Sequence, residues 1–347
     1  VYKRKDMKAL KAISTSALVT ALIVALAGCG ANQSASEPST SDGLVTVKMV
    51  QEWPTGDAQW IPWVVAKEKG YYKAAGINLD IQVPPNTSAT MQYLGTGRSD
   101  IAFAGSIDVV SAVAEDAPVI SIAKYGSMNN AGIIALKGKP TNPKELKGKT
   151  IGTYGDAWSK AQLEIMLKNV GLTIDDVHLV TATDDDVPLL MQKKVDAITG
   201  TQMAEGSELK SLGVTNYEMS YGKDFGVPNA PVLNLAANKT WLEKNKTLAK
   251  AFIKATVKGI NYARSHKTEA VSIFLKAYPK AETEQFATQQ WEDTSALFGA
   301  ENVTVKSSDL AQKKSVWKSL VSAAAKYKIV DQTQQASTYF TNELTEE

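Results

Sequence analysis

Two successive sets of alternating strand and helix signals, carried on about 300 foldable residues, predict an α/β fold divided between two lobes, since one core rarely grows past roughly 250–300 residues. Val45 to Val50 alternate as a strand. Residues 60–69 follow as a helix, with Pro62 in its first turn and Gly70 closing it. Leu79, Ile81 and Val83 form a second strand, stopped by Pro84-Pro85. The unit then recurs: helix 88–94, turn Gly95-Thr96-Gly97, strand 100–104, helix 107–114 and strand 119–125. The second set reads as strands 131–136 and 150–153, helix 157–170 closed by Gly171, strand 177–181, helix 187–193, strand 196–200 and helix 203–212. After Pro228 and Pro231 comes one more apolar run, 232–237. Beyond Lys239 the pattern is helical, with Leu248, Phe252, Ala255, Val257 and Ile260 on one stripe and Val316, Leu320, Ala323 and Tyr327 on another. Such alternation implies parallel-rich sheets with helices on both faces. Gly95-Thr96-Gly97 follows a helix and precedes a strand, the reverse of the order a dinucleotide loop needs. No short-period repeat supports a solenoid.

The first residues read differently. Lys3, Arg4, Lys5, Lys8 and Lys11 precede an uncharged stretch, 12–28, that Ser14, Thr15, Ser16 and Thr20 interrupt. This layout fits a secretory signal better than a membrane span. Leu26-Ala27-Gly28-Cys29 resembles a bacterial lipobox, in which the cysteine becomes the lipid-modified first residue of the mature chain; the plain alternative is a free thiol. Residues 1–28 are thus expected to be removed and 29–43, poor in groups to bury, to form a disordered tether. The protein is expected outside the cell, anchored to the outer face of the bacterial membrane through the lipid on Cys29 alone.

Residues 1–28 hold five of the 38 basic residues and one of the 36 acids, so the net charge falls from +2 to −2 without them. No basic block remains to bind nucleic acid or an anionic membrane. Cys29 being the only cysteine, disulfides and cysteine-based metal sites are excluded. No cofactor or metal is expected.

The segment from Trp63 to Ile77 (Trp-Val-Val-Ala-Lys-Glu-Lys-Gly-Tyr-Tyr-Lys-Ala-Ala-Gly-Ile) resembles the opening of solute-binding proteins of ABC importers. So do Leu-Gly-Thr-Gly-Arg-Ser-Asp-Ile-Ala at 94–102, Leu-Lys-Gly-Lys-Thr-Ile-Gly at 146–152 and Lys-Val-Asp-Ala at 194–197, all in the expected order. The likeness is strongest to the branch that binds thiamine-pyrimidine precursors, alkanesulfonates, taurine or nitrate. It implies a two-lobed periplasmic-binding-protein-like clamshell of type II, with two interlobe crossovers. Lobe 1 would comprise 44–127 and 231–347, and lobe 2 128–230. A monomer would close over a small solute and deliver it to a membrane permease backed by an ATPase.

In open α/β sheets ligands lie beyond the carboxyl ends of the strands, and two lobes can close around a solute by hinge motion. The candidate loops are then 53–60, 84–88, 105–107, 155–158, 184–188 and 201–202. The residues expected to meet ligand are Trp53, Asp57, Trp60, Pro84, Gly105, Ser106, Tyr154, Trp158, Asp184, Asp185 and Gln202. Trp60, like Trp63, has a competing place in the core of the first helix, and one of Asp184 to Asp186 should cap the helix at Val187.

Past residue 28 the chain has only Arg98 and Arg264, one in a helix-to-strand turn and one in a helix, so no arginine fork is placed to clamp an oxyanion. Free N–H groups at Gly105-Ser106 remain an anion option. Against it, Glu52, Asp57, Asp156 and Asp184 to Asp186 crowd the same loops and repel anions. Indoles that stack flat rings, beside carboxylates that accept from amino groups, fit an amino-bearing heterocycle. Tyr221-Gly222-Lys223-Asp224-Phe225-Gly226-Val227-Pro228 and Trp291, in a helix over 285–297, resemble the thiamine-pyrimidine-precursor binders. Thr55-Gly56-Asp57-Ala58-Gln59 stands where those proteins often carry an Asn-His pair.

Three rival readings exist: an alkanesulfonate, taurine or nitrate binder, a pyrimidine-synthesis enzyme, and a surface adhesin or structural lipoprotein, which would need no closing cleft. The eukaryotic relative that makes the thiamine pyrimidine is known for histidine, cysteine and a lysine-bound cofactor. This chain offers only His178, in a strand, and His266, at a helix end, so no enzymatic activity is expected.

Overall fold

The computed structural model describes residues 43–182 and 186–346. Cys29, the expected leader, nearly all of the tether, and Asp184 and Asp185 lie outside them. Ten strands form two five-stranded sheets among the described residues: β1 Val45–Val50, β2 Ile77–Gln82, β3 Ile101–Gly105, β4 Val119–Tyr125, β5 Ala131–Ala135, β6 Thr150–Thr153, β7 His178–Thr181, β8 Ala197–Thr201, β9 Glu218–Tyr221 and β10 Leu233–Asn238. The helices before the second sheet ends are α1 Ile61–Glu68, α2 Tyr71–Ala74, α3 Ser88–Gly95, α4 Ser106–Ala114, α5 Ala157–Asn169, α6 Val187–Met191 and α7 Ser207–Ser211. After it come α8 Lys239–Lys244, α9 Lys246–Ser265, α10 Lys267–Ala277, α11 Glu284–Ala296 and α12 Lys314–Lys326.

The sheet orders are β2-β1-β3-β10-β4 and β7-β6-β8-β5-β9. In each, four strands point one way and the fourth in order runs against its neighbours: β10 between β3 and β4, β5 between β8 and β9. Both reversed strands are the ones by which the chain crosses from the other sheet. Leu233 opens β10 opposite Gly105, the last residue of β3, and Ala131 opens β5 opposite Thr201, the last residue of β8. A chain arriving at the carboxyl edge of a sheet can extend only backwards along it. The two carboxyl edges therefore share the side from which both crossovers enter, and the cleft lies there.

Residues along the strands alternate between two cores, as a period of two requires. Val47, Met49, Ile101, Phe103, Leu235 and Ala237 face α1, α9, α10 and α11 on one side of the first sheet. Val50, Ala102, Ala104 and Ala236 face α4 and α12 on the other. In the second sheet Ile133, Ile151 and Ala197 pack toward α5, while Ile134 and Ile198 pack toward α6 and α7. Gly259 of α9 lies against α1 so closely that a Cβ there would come within 2.0 Å of the Pro62 carbonyl oxygen.

Three elements depart from the sequence reading, the first being the four-residue helix α2 just past Gly70. The short strand β9 was not expected: it pairs on one side only, so its residues need no run of apolar side chains. The helix expected over 203–212 begins instead as a π-helical turn, Gln202–Gly206, and becomes α-helical only at Ser207. Wide turns of this kind are frequent at functional sites. Here the turn folds the Glu205 carboxylate back onto the Thr201 amide.

Candidate functional site

Between the two carboxyl edges lies a cleft of about 660 Å³. Lobe 1 supplies the loop after β1 (Trp53 to Gln59), Val232 and Leu233 at the crossover into β10, and Ala281 to Gln290 around the start of α11. Lobe 2 supplies Tyr154 after β6 and Thr201, Met203, Ala204, Glu205 and Glu208 after β8. A smaller cavity of about 180 Å³ adjoins it and shares Tyr154, Thr201, Glu205 and Val232 with the cleft.

The walls are aromatic and acidic. Trp53 is held edge-on to Phe103 with ring centres 5.9 Å apart, Tyr154 presents an exposed ring, and Phe286 closes the α11 end. Asp57 caps the single 3₁₀ turn Ala58–Trp60, accepting from the Gln59 amide at 2.7 Å. Its other oxygen accepts from Gln290 Nε2 at 3.1 Å, while Gln290 Oε1 accepts from the Ala58 amide at 2.8 Å. Gln290 is buried, so one fixed amide sets the position of Asp57. Glu205 accepts from the Thr201 amide at 2.5 Å and from its hydroxyl at 3.3 Å.

These carboxyls are strained toward neutrality. Burial pushes Asp57 up to about 7, with the charge of Glu205 adding to it. Burial likewise pushes Glu282 up to about 9, with Asp57 adding. Glu205 is raised by burial, and the buried Tyr125 phenol by burial and then by Asp57. No lysine, arginine or histidine lines the cleft among the described residues. The site is a donor-poor pocket of acceptors between ring faces.

Of the expected site residues, Trp53, Asp57 and Tyr154 line the cleft, and Trp158 lines the adjoining cavity. Trp60 does not: it is fully buried in the first core, edge-on to Tyr278 at 5.3 Å, because the 3₁₀ turn directs it inward. Trp63 is likewise core, against Phe103 and Tyr125. Pro84 is buried away from the cleft walls. Gln202 spends its amide on the Tyr217 hydroxyl at 2.7 Å and is not part of the wall.

Gly105 and Ser106 offer no anion nest. The Gly105 amide donates to the Glu52 carboxylate at 3.1 Å, and the Ser106 amide and hydroxyl donate to the Val232 and Pro231 carbonyls at 2.9 and 2.7 Å. The chain's own carboxyl, raised by burial and by neighbouring Asp108, fills the place of an oxyanion. Arg98 lies over the Tyr93 ring at 3.8 Å, and Arg264 donates to the Val303, Gly299 and Ala300 carbonyls, both away from the cleft. His178 is exposed on β7 and His266 stacks on Tyr262.

Sequence reasoning missed Gln59, Glu205, Glu282, Phe286 and Gln290. Glu205 follows the end of a strand, which could have marked it. Glu282, Phe286 and Gln290 come from the helical region some 230 residues beyond Asp57 in the chain, and no local pattern points to them.

Fold and cleft together define a two-lobed α/β protein with the periplasmic-binding-protein fold. The chain belongs to the NMT1/THI5-like family, whose model matches residues 57–270. It is 28% identical over 273 residues, covering 78% of this chain and 79% of the relative, to the formylaminopyrimidine-binding protein of Halalkalibacterium halodurans. It is 26% identical over 231 residues, 63% of this chain and 68% of the relative, to a 4-amino-5-hydroxymethyl-2-methylpyrimidine phosphate synthase of Saccharomyces cerevisiae. In three dimensions it resembles the periplasmic aliphatic sulphonate binding protein SsuA of Escherichia coli, with a TM-score of 0.67 at 14% identity over 86% of this chain and 92% of that one.

Proposed function

We propose that this protein is the exported, lipid-anchored solute-binding component of an ABC importer, and that its solute is a thiamine-precursor pyrimidine or a similar flat amino heterocycle. The observation that carries the reading is the cleft wall: aromatic faces at Trp53, Tyr154 and Phe286 interleaved with Asp57, Glu205 and Glu282, and no basic side chain among the described lining residues. Ring faces stack a flat solute while carboxyls accept from its amino and ring N–H groups. The likeness to a formylaminopyrimidine-binding protein supports the same solute class.

The lobes, divided near 127/128 and 230/231, close over the solute and present it to a permease driven by an ATPase. Cys29 carries the lipid, and the tether lets the lobes reach the permease. Asp184 and Asp185, outside the described residues, are kept as proposed ligand contacts. Sulfonate, taurine and nitrate are disfavoured, because the amides at Gly105 and Ser106 are already satisfied within the chain. A synthase activity is disfavoured because the chain's two histidines lie on β7 and at the end of α9, away from the cleft.

Titration of the full chain with hydroxymethylpyrimidine, formylaminopyrimidine, thiamine, riboflavin, taurine and nitrate, followed by tryptophan fluorescence, tests the reading. A heterocycle that quenches or shifts the emission and compacts the protein in solution scattering supports it. Tight binding of taurine or nitrate with silence from every heterocycle overturns it, and turnover of a pyrimidine substrate overturns the assignment as a pure binding protein.

A further inference from the structure

We infer that the solute is held as a cation, with a planar amidinium-type edge, an amino group beside a protonated ring nitrogen, donating to Asp57, Glu282 and Gln59 on the lobe 1 wall. The inference rests on the cleft being the solute site and names the charge state and donor pattern of what enters it.

The lobe 1 wall is an excess of acceptors. Gln59 is 2% exposed and lines the cleft, and its amide oxygen has no hydrogen-bond partner. The Glu282 Oε2 atom is also buried and unpaired. Asp57 lies beside both: its carboxylate accepts from the Gln59 side chain at 3.3 Å, and its charge acts on Glu282. A buried acceptor without a donor costs free energy, and close carboxyls cannot all ionise without a positive partner. Lobe 2 faces them with Glu205, Glu208 and Tyr154, and Tyr125 lies below; each adds negative charge or none. The Lys210 ammonium of α7 is engaged by Asp293.

One occupant relieves both costs at once, provided that it brings N–H donors and a positive charge together. An amidinium edge does so, and its two parallel N–H groups match a carboxylate. A quaternary ammonium brings charge without N–H groups, a neutral aminopyrimidine brings N–H groups without charge, and an anion brings neither. With the cleft empty, protons hold the same places: Asp57 and Glu282 both keep theirs to a pH far above the ordinary carboxylate range.

The test is calorimetric titration of the full chain with benzamidine, benzamide and benzoate, which share size and flatness and differ in charge, beside 4-amino-5-hydroxymethyl-2-methylpyrimidine. Benzamidine should bind roughly tenfold or more tighter than benzamide, as charge-assisted bonds imply, with no heat from benzoate. Asp57→Asn, which can still cap the turn, and Glu282→Gln should each remove most of that preference while the far-ultraviolet dichroism stays unchanged. Equal binding of benzamide, binding of benzoate, or silence from benzamidine overturns the inference. If the pyrimidine binds wild type, D57N and E282Q alike, the cation falls and the heterocycle reading stands; if benzamidine is preferred but no heterocycle binds, the reverse holds. Should a variant fail to fold, the wild-type comparison of benzamidine with benzamide still decides.

Discussion

The Lys210 ammonium of α7 lies 2.5 Å from the Asp293 carboxylate of α11, so a lobe 2 helix is tied to a lobe 1 helix at the rim of the cleft. Ser207 donates to the other oxygen of Asp293 at 2.8 Å, and Met203, from the π-helical turn before α7, packs into the first core. Both partners of the ion pair are largely shielded, so it is worth more than an exposed pair. Replacing Asp293 by Ala should weaken the closed arrangement by about 1 kcal/mol. Solution scattering should then show a larger radius of gyration for the ligand-free protein, and solute affinity should fall about fivefold. An unchanged radius and affinity would show that the contact does not govern closure.

The cleft carboxyls make the ligand-free protein less stable at high pH. Folding raises Asp57 to about 7 and Glu282 to about 9, against roughly 4 in the unfolded chain. The folded state thus binds these protons more tightly, and the stability they confer is complete below about pH 4 and is lost as pH rises through the folded values. Urea midpoints of the ligand-free protein should fall from pH 5 to pH 9 by this contribution, and D57N should flatten the fall below pH 8. A D57N profile parallel to wild type would refute the assignment.

Two tryptophans separate core from site. Trp53 lines the cleft, while Trp60 is fully buried. Trp60→Ala should destabilise the fold by about 3–5 kcal/mol. Trp53→Ala should leave most stability in place and weaken solute binding about tenfold, in keeping with a lost stacking face. The pair of urea curves and titrations decides, and a reversal of the two effects would move the site.

Gly259 permits α1 and α9 to touch at backbone distance. A methyl group there meets the Pro62 carbonyl at 2.0 Å, and backbone cannot yield as a side chain tip can. Gly259→Ala should destabilise by about 1–3 kcal/mol despite the higher helix propensity of alanine. A gain in stability would mean that the helices separate freely.

Much was written locally. Val45 to Val50 alternate because their side chains face two different cores, and Pro62 and Gly70 bracket α1 because each supplies backbone geometry that the helix ends require. These are near-neighbour effects, so the order of strands and helices, and with it the α/β class, was legible in the sequence. Trp53, Asp57 and Tyr154 were legible for a related reason, since all three follow the ends of strands that the pattern reveals.

The direction of β10, the inward turn of Trp60 and the fate of the Gly105 amide were settled only in three dimensions. Each depends on a partner far along the chain: the edge that receives a crossover, Tyr278 across a core, Glu52 at the end of another strand. The acidic floor of the cleft is the strongest case, because Asp57 meets Gln290 across 233 positions of sequence. Spacing along a chain encodes periodicity and caps, whereas the charge balance of a cavity is a sum over side chains that only folding brings together.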